Sequence, residues 1–307
     1  MHLLIPFASA LSDAASQVLR DLELPNLVQL LARLTLVHRD DASALTLSPP
    51  HERAWAQAQG WHGADGCLPF AAQAAAADGV NVDALAWGLV TPAHWHVGRD
   101  HVTLVDPAAL NLGADESRAA FAAVRELFES EGFRVEWGAA TRWYVAHERL
   151  AALPCASLDR VIGRNVELWM RSTQDKLVRR LQSELQLLLY PHALNDAREQ
   201  RGELTLNSFW LSGCGRAQAT PTDMRIAATL REPLLAQDWA AWAQAWRALD
   251  AGDVATCLAA ARTDARVTLT LCGDRSAHRF ETAPQGVWQR LSSRWKTSEP
   301  HTLLEAL

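Results

Sequence analysis

Three polar residues recur at intervals of three in one short stretch: His192, Asn195 and Arg198. Arginine suits phosphate or carboxylate because its planar fork presents two parallel donors. Asparagine adds a neutral donor beside it. Asn207 follows, and then Gly213 and Gly215, where backbone N–H groups can approach an anion closely. Upstream, Arg142 and Asp159 extend the set, the latter in the run L-D-R-V-I-G that ends at Gly163. Together these residues are candidates for holding a small phosphorylated or anionic ligand. The plainer alternative is structural: Asn195 caps a turn, Arg198 makes a surface ion pair and the glycines shape a turn. On that alternative Ser157 caps a helix, and Asp159 favours the helix dipole.

Other residue types point to other chemistry. His94 and His96 share a face if they lie on a strand, and His101 follows. With Asp100 or Asp106 they could ligate zinc, manganese or iron. No zinc spacing such as H-E-x-x-H is present, and edge-strand histidines are the commoner outcome. Ser212 and Cys214 stand in L-S-G-C-G, which lacks the G-x-S-x-G order of a nucleophile elbow. No sequence feature sets the pKa of Cys214, so nothing marks it as a reactive thiol.

The pattern H-x-x-N-x-x-R-x-x-x-G-x-x-x-x-N followed by G-x-G, carried by His192, Asn195, Arg198, Gly202, Asn207, Gly213 and Gly215, resembles a signature segment of the archaeal-type, cofactor-independent phosphoglycerate mutases. Arg142 in T-R-W-Y-V and the D-x-x-G of Asp159 and Gly163 resemble parts of the same segment, which spans roughly residues 93 to 216. The spellings S-L-D-R-V-I-G-R-N, L-L-L-Y-P-H and N-S-F-W-L-S-G-C-G resemble the RpfE-type regulatory proteins of proteobacteria along most of the chain. The mutase resemblance implies a separate metal-binding, phosphatase-like domain, opening with a D-G turn after the first strand. Here L-L-I-P-F runs into A-S-A-L-S-D instead, and Asp274 to His278 offers only a lone D-x-x-x-H spacing. A two-metal centre would supply nucleophile activation and charge neutralisation. Its missing markers lead to the expectation of a non-catalytic relative, a bacterial pseudoenzyme with a regulatory role. The rival expectation is a divergent metal-dependent phosphomutase or phosphatase, using manganese or zinc. That rival needs Asp106, Asp274, His278 or the His94–His101 cluster to converge with Ser208 or Ser212.

The elements that must position these residues can be read from periodicity. Leu177, Leu181, Leu185 and Leu188 make one stripe of a long helix that stops before Pro191. Leu204, Leu206, Phe209 and Leu211 read as a buried strand ended by Gly213 and Gly215. Val102 with Leu104, Phe133 with Val135 and Trp137, and Trp143 with Val145 read as strands. Ser117 is placed as the cap of a helix carrying Phe121, Val124 and Phe128. Nearer the start, L-L-I-P-F reads as a first strand, not a signal peptide. Helices are expected from Pro25 through Leu34, from Pro49–Pro50 to Gly60, over Ala71 to Ala77, and after Asn81 or Asp83 with Leu85, Trp87 and Leu89 inward. Asp238 caps a helix with Trp239, Trp242, Trp246 and Leu249 on one face. A short helix follows from Asp253, then a strand through Val267, Leu269 and Leu271. Val287, Trp288, Leu291 and Trp295 read as a last helix. The expected class is α/β, or α+β, with a mixed sheet flanked by helices and helix-rich N- and C-terminal parts. The expected division is 1–90, a mutase-like core at 91–216, and 217–307.

Composition bounds the rest. The chain has 307 residues and a net charge of −6, which argues against a sequence-independent nucleic-acid binder. Its five cysteines form no C-x-x-C pair and fit a reducing, cytoplasmic compartment. No stretch approaches the ~20 apolar residues of a membrane span. Thirteen tryptophans against two tyrosines suggest core or interface anchors, and Trp239, Trp242 and Trp246 are the candidates for a partner-binding surface. The expected partners are therefore a small phosphorylated metabolite and a protein, with no cofactor on the favoured reading.

Overall fold

The computed structural model describes residues 1–170, 176–221, 223–282 and 300–307. The chain forms two compact units. The first comprises Met1–Ala44, Pro49–Gly60 and Thr220–Leu307; the second comprises Leu45–Ser48 and Trp61–Ala219. The expected helix around Val287 to Trp295 lies outside the described residues.

The first unit begins with β1 (His2–Ile5), α1 (Asp13–Arg20), α2 (Pro25–Leu31), β2 (Leu34–Asp41) and α3 (Pro50–Gln59). From its C-terminal part come β9 (Arg225–Ile226), α10 (Arg231–Leu235), α11 (Trp239–Leu249), α12 (Ala255–Arg262), β10 (Thr268–Cys272), β11 (Ser276–Thr282) and α13 (Pro300–Glu305), numbered in chain order with the second unit's elements. The sheet order is β2-β11-β10-β1-β9. It is a mixed sheet: β10, β1 and β9 run parallel, whereas β11 is antiparallel to β10 and β2. A strand buried on both faces reads as a continuous apolar run, and β1 does. Leu3 and Ile5 join a core with Trp242, Trp246 and Leu269, while Leu4 packs with Ala54 of α3 and Cys272 on the other face. Pro50 opens α3, and Gly60, at φ +71°, closes it. The helix expected through Leu34 ends at Leu31 instead, and Leu34 begins β2, where burial alternates along Leu34–Asp41. The Asp238 cap is present: its Oδ1 accepts from the Ala241 N–H at 2.9 Å.

The second unit contains α4 (Phe70–Ala77), β3 (Ala86–Ala93), β4 (Trp95–Val97), β5 (Val102–Leu104), α5 (Ala114–Glu129), β6 (Arg134–Ala139) and β7 (Arg142–Ala146). It continues with α6 (Leu158–Val161), α7 (Val166–Met170), α8 (Lys176–Leu189), α9 (Ala193–Gln200) and β8 (Ser208–Arg216). Its main sheet is antiparallel in the order β6-β7-β3-β8, and β4 with β5 forms a separate hairpin. Helices α5 and α8 pack on one face, through Phe121, Val124, Leu181 and Leu185 against Val145, Phe209 and Leu211. The alanines of α4 cover Trp87, Tyr144 and Ala146 on the other.

Three expectations fail here for physical reasons. The helix expected after residue 83 is the strand β3, because Leu85, Trp87 and Leu89 repeat at two and not at 3.6. Ser117 does not cap α5, which starts one turn earlier at Gly113. Its buried hydroxyl instead accepts from two indoles, Trp137 Nε1 at 3.0 Å and Trp143 Nε1 at 2.9 Å. In α8 the inward residue of the last turn is Leu189, and Leu188 is partly exposed.

Candidate functional site

The signature stretch is built from the end of α8 to β8. After Pro191 the chain enters α9, and His192 is its N-cap, with Nδ1 accepting from the Leu194 N–H at 3.2 Å. Spacing of three places Asn195 and Arg198 on one face of that helix, and both are buried. Asn195 Nδ2 donates to the carbonyls of Leu189 (2.9 Å) and Leu206 (2.8 Å), and its Oδ1 accepts from Leu206 N–H at 2.8 Å. It therefore ties the end of α8 to the approach of β8. Arg198, with 0% side-chain exposure, donates through Nε to Leu204 O at 2.7 Å. Its Nη1 donates to Glu116 Oε2 at 2.6 Å, and Nη2 reaches Leu110 O. The ion pair of the structural alternative thus forms, with its arginine buried and Glu116 partly exposed. Gly202, at φ +71°, turns the chain out of α9. Asn207 brackets the start of β4: its Oδ1 accepts from Trp95 N–H at 2.7 Å and its Nδ2 donates to Trp95 O at 3.0 Å.

Gly213 and Gly215 lie inside β8, not at a turn that ends it. Between the pairs Trp87↔Gly215 and Leu89↔Ser212 the β8 strand carries one extra residue, a bulge. Gly213 takes φ +64°, the left-handed conformation of such a bulge. A methyl group there would stand 2.8 Å from Ala71 N, and one at Gly215 would stand 3.1 Å from Pro69 Cα. The glycines thus let the first turn of α4 lie directly on the strand. The close approach that glycine permits is used by the protein's own backbone.

Arg142 and Asp159 are placed apart from this brace. Arg142 grips Asp78 with a two-pronged contact: Nε and Nη2 each donate at 2.8 Å. Tyr144 O–H donates to the same carboxylate at 2.6 Å. Asp78 is the C-cap of α4, where the helix dipole disfavours an anion. The hydrogen bonds from Arg142 nevertheless hold its carboxyl below the usual range, and burial followed by the bond to Asp78 pushes the Tyr144 phenol up. Arg142 keeps 45% side-chain exposure. Asp159 sits in the first turn of α6, whose N-cap Ser157 accepts from Asp159 N–H at 3.4 Å, and Gly163 N–H donates to Leu104 O at 2.8 Å.

The residues of the rival chemistry also have local partners. His94 Nδ1 lies 2.9 Å from Thr205 O, whereas His96 and His101 are exposed on or beside the β4–β5 hairpin. Asp106 Oδ1 accepts from Ala108 N–H at 3.0 Å and caps a 3-10 turn. Ser208 and Ser212 are buried on β8. In the first unit, Asp274 accepts from Leu11 N–H at 3.2 Å and His278 is buried in β11, its pKa lowered by burial and then by Arg39. Among the described residues, no three His, Cys, Asp or Glu side chains are grouped to hold a metal ion. Trp242 and Trp246 are fully buried, and Trp239 packs edge-on against Trp242. The expected tryptophan surface is therefore mostly core, because the apolar face of α11 turns onto β1 and β10. No helix among the described residues is long and apolar enough to cross a membrane.

No protein-family model matches the chain, and no curated protein does. Solved structures similar to it include a cofactor-independent phosphoglycerate mutase from Thermoplasma acidophilum, 14% identical, with a TM-score of 0.37 over 99% of this chain and 98% of that one. Another is the PH0037 protein of Pyrococcus horikoshii, 11% identical, with a TM-score of 0.44 over 92% of this chain and 87% of that one.

Proposed function

We propose that this chain acts by binding, as a cytoplasmic regulatory or interaction protein, and not by phosphoryl transfer. A small phosphorylated or anionic metabolite would be met at Arg142, with Asp78 as the group it displaces. One observation carries the reading. Of the two arginines in the signature set, Arg198 is enclosed and bonded to two carbonyls and a carboxylate, whereas Arg142 keeps its planar fork near half exposed. A half-exposed guanidinium whose fork is taken by one carboxylate can exchange that partner for a phosphate, whose oxygens match the same pair of donors. The resemblance of the signature spelling to RpfE-type regulatory proteins supports the non-catalytic side of the reading.

Thermal unfolding in the presence of phosphate esters, 3-phosphoglycerate among them, tests it, with and without manganese or zinc. A ligand at 100 times its dissociation constant adds about 2.7 kcal/mol, a rise of several degrees. The expected result is a rise that needs no metal and disappears in Arg142→Ala. A rise that appears only with metal would favour the rival phosphomutase or phosphatase and call for an assay of phosphoryl transfer. A panel without any rise would remove the metabolite and leave a protein partner, sought by pull-down.

A further inference from the structure

The Cys214 and Cys155 sulfurs stand 3.7 Å apart inside the second unit, each on a buried side chain. Cys214 follows the Gly213 bulge of β8. Cys155 lies in the irregular segment between a 3-10 turn at Glu148–Ala152 and the Ser157 cap of α6, with its N–H bonded to Gly66 O at 3.0 Å. The strand opposite makes room for the pair: a methyl group at Gly88 would come within 3.2 Å of Cys214 Sγ. Cys67, the residue after Gly66, is also buried close by, and Cys155 is among the groups that shift its pKa.

We infer that Cys155 and Cys214 form an oxidation-triggered staple: a hydroperoxide converts the two thiols to a disulfide that fastens the 153–157 segment to the bulge of β8. Two observations carry this. The sulfurs are already in contact, and one of them sits in an irregular segment outside any paired strand, where a shift of the side chain and its segment closes the remaining distance. The reaction balances in two steps. One thiol sulfur attacks the peroxide, the O–O bond breaks, the thiol proton goes to the departing oxygen, and a sulfenic acid forms with one alcohol, or one water where the oxidant is hydrogen peroxide. The second thiol attacks that sulfur, the S–O bond breaks, the S–S bond forms and water leaves. The two sulfurs together give up two electrons, and the peroxide takes them. The contact with the Cys155 thiol, and then burial, raise the Cys214 pKa, so the first step is slow, as attack needs thiolate. The second step is intramolecular and outruns further oxidation.

The test is peptide mapping of the full chain after treatment with hydrogen peroxide under native conditions. Remaining thiols are blocked before non-reducing digestion. The expected product is a cross-link between the peptides bearing Cys155 and Cys214, reversed by a dithiol reductant. It should raise the thermal midpoint over the reduced protein by several degrees, because the link restricts the unfolded chain. The Cys67→Ser variant keeps the cross-link; Cys155→Ala and Cys214→Ala each abolish it. Mapping the wild-type chain alone decides the matter should an alanine variant fold poorly. Cys155 and Cys214 recovered as free thiols while other cysteines oxidise would overturn the inference. So would a cross-link that pairs either of them with Cys67.

Discussion

Arg198 and Arg142 come from the same stretch of reasoning about anions, and the fold uses them in opposite ways. Arg198 is buried on α9 and ties the approach to β8 at Leu204 to one distant stretch of chain; Glu116 and Leu110 stand 82 and 88 positions from it. Arg142 holds one carboxylate at the surface of the β6–β7 edge. The difference teaches that residue type proposes a ligand, but the number of backbone carbonyls left without partners decides where a buried guanidinium goes. The end of α5's entry loop at Leu110 and the approach to β8 at Leu204 both need donors, and Arg198 supplies them.

The sharpest way to break that comparison is to truncate both arginines. Arg198→Ala leaves the Leu110 and Leu204 carbonyls without their donor and Glu116 with Arg201 alone, and should cost about 3 kcal/mol. Arg198→Lys should recover only part, because an ammonium cannot serve the same fork of acceptors. Urea midpoints measure both. A loss in Arg198→Ala no greater than in Arg142→Ala would end the claim that the two are used differently.

Glycine at the bulge gives the next largest effect. Gly213→Ala combines a left-handed φ with a methyl 2.8 Å from Ala71 N, and should cost about 2–3 kcal/mol. Gly60→Ala has a similar φ but open space around it, so about 1 kcal/mol is expected. The gap between the two thermal midpoints isolates the contact of α4 with β8. Equal losses would mean that the bulge, not the close packing, requires glycine.

How far the sequence foretold this fold follows from the range of each interaction. Local signals were legible: Pro50 and Gly60 bounding α3, the alanine run of α4, the Asp238 cap, and the leucine stripe of α8. So was β1, whose apolar run marks a strand covered on both faces. What needed distant partners was not. Trp87 and Leu89 fit a helix as readily as a strand on sequence alone, because two-residue periodicity in a short run competes with a plausible cap at Asp83. The role of Ser117 depends on two indoles from β6 and β7. Gly213 and Gly215 read from the sequence as a turn open to an anion; what stands against them, the first turn of α4, lies about 140 positions earlier and could not be read locally. The single apolar face of α11 is legible from its tryptophan spacing, but whether the core or a partner covers it is not; here the core covers Trp242 and Trp246.

The smaller effects test Arg142. Its removal should cost about 1 kcal/mol or less, and the loss should shrink in high salt, as for an exposed pair.

The same cluster also carries a pH signature with a definite sign. The Asp78 carboxyl is lowered from its ordinary value of 3.8, first by Arg142. Its stabilisation is therefore fully present above about pH 4 and is lost as pH falls through the lower folded value. The Tyr144 phenol is raised from 10.0, first by burial. Its stabilisation is present below pH 10 and is lost as pH rises beyond it. Buried Cys214 and Cys272 thiols are also raised, so the alkaline decline of the wild type begins earlier than the tyrosine alone would dictate. Tyr144→Phe removes the tyrosine share by difference, leaving the thiol part intact. Thermal midpoints of the two proteins from acid to alkaline pH should run parallel through neutrality and converge above pH 10. Parallel curves throughout would show that Tyr144 keeps its proton no more firmly in the folded chain than in the unfolded one, and that the Asp78 hydrogen bond does not hold it.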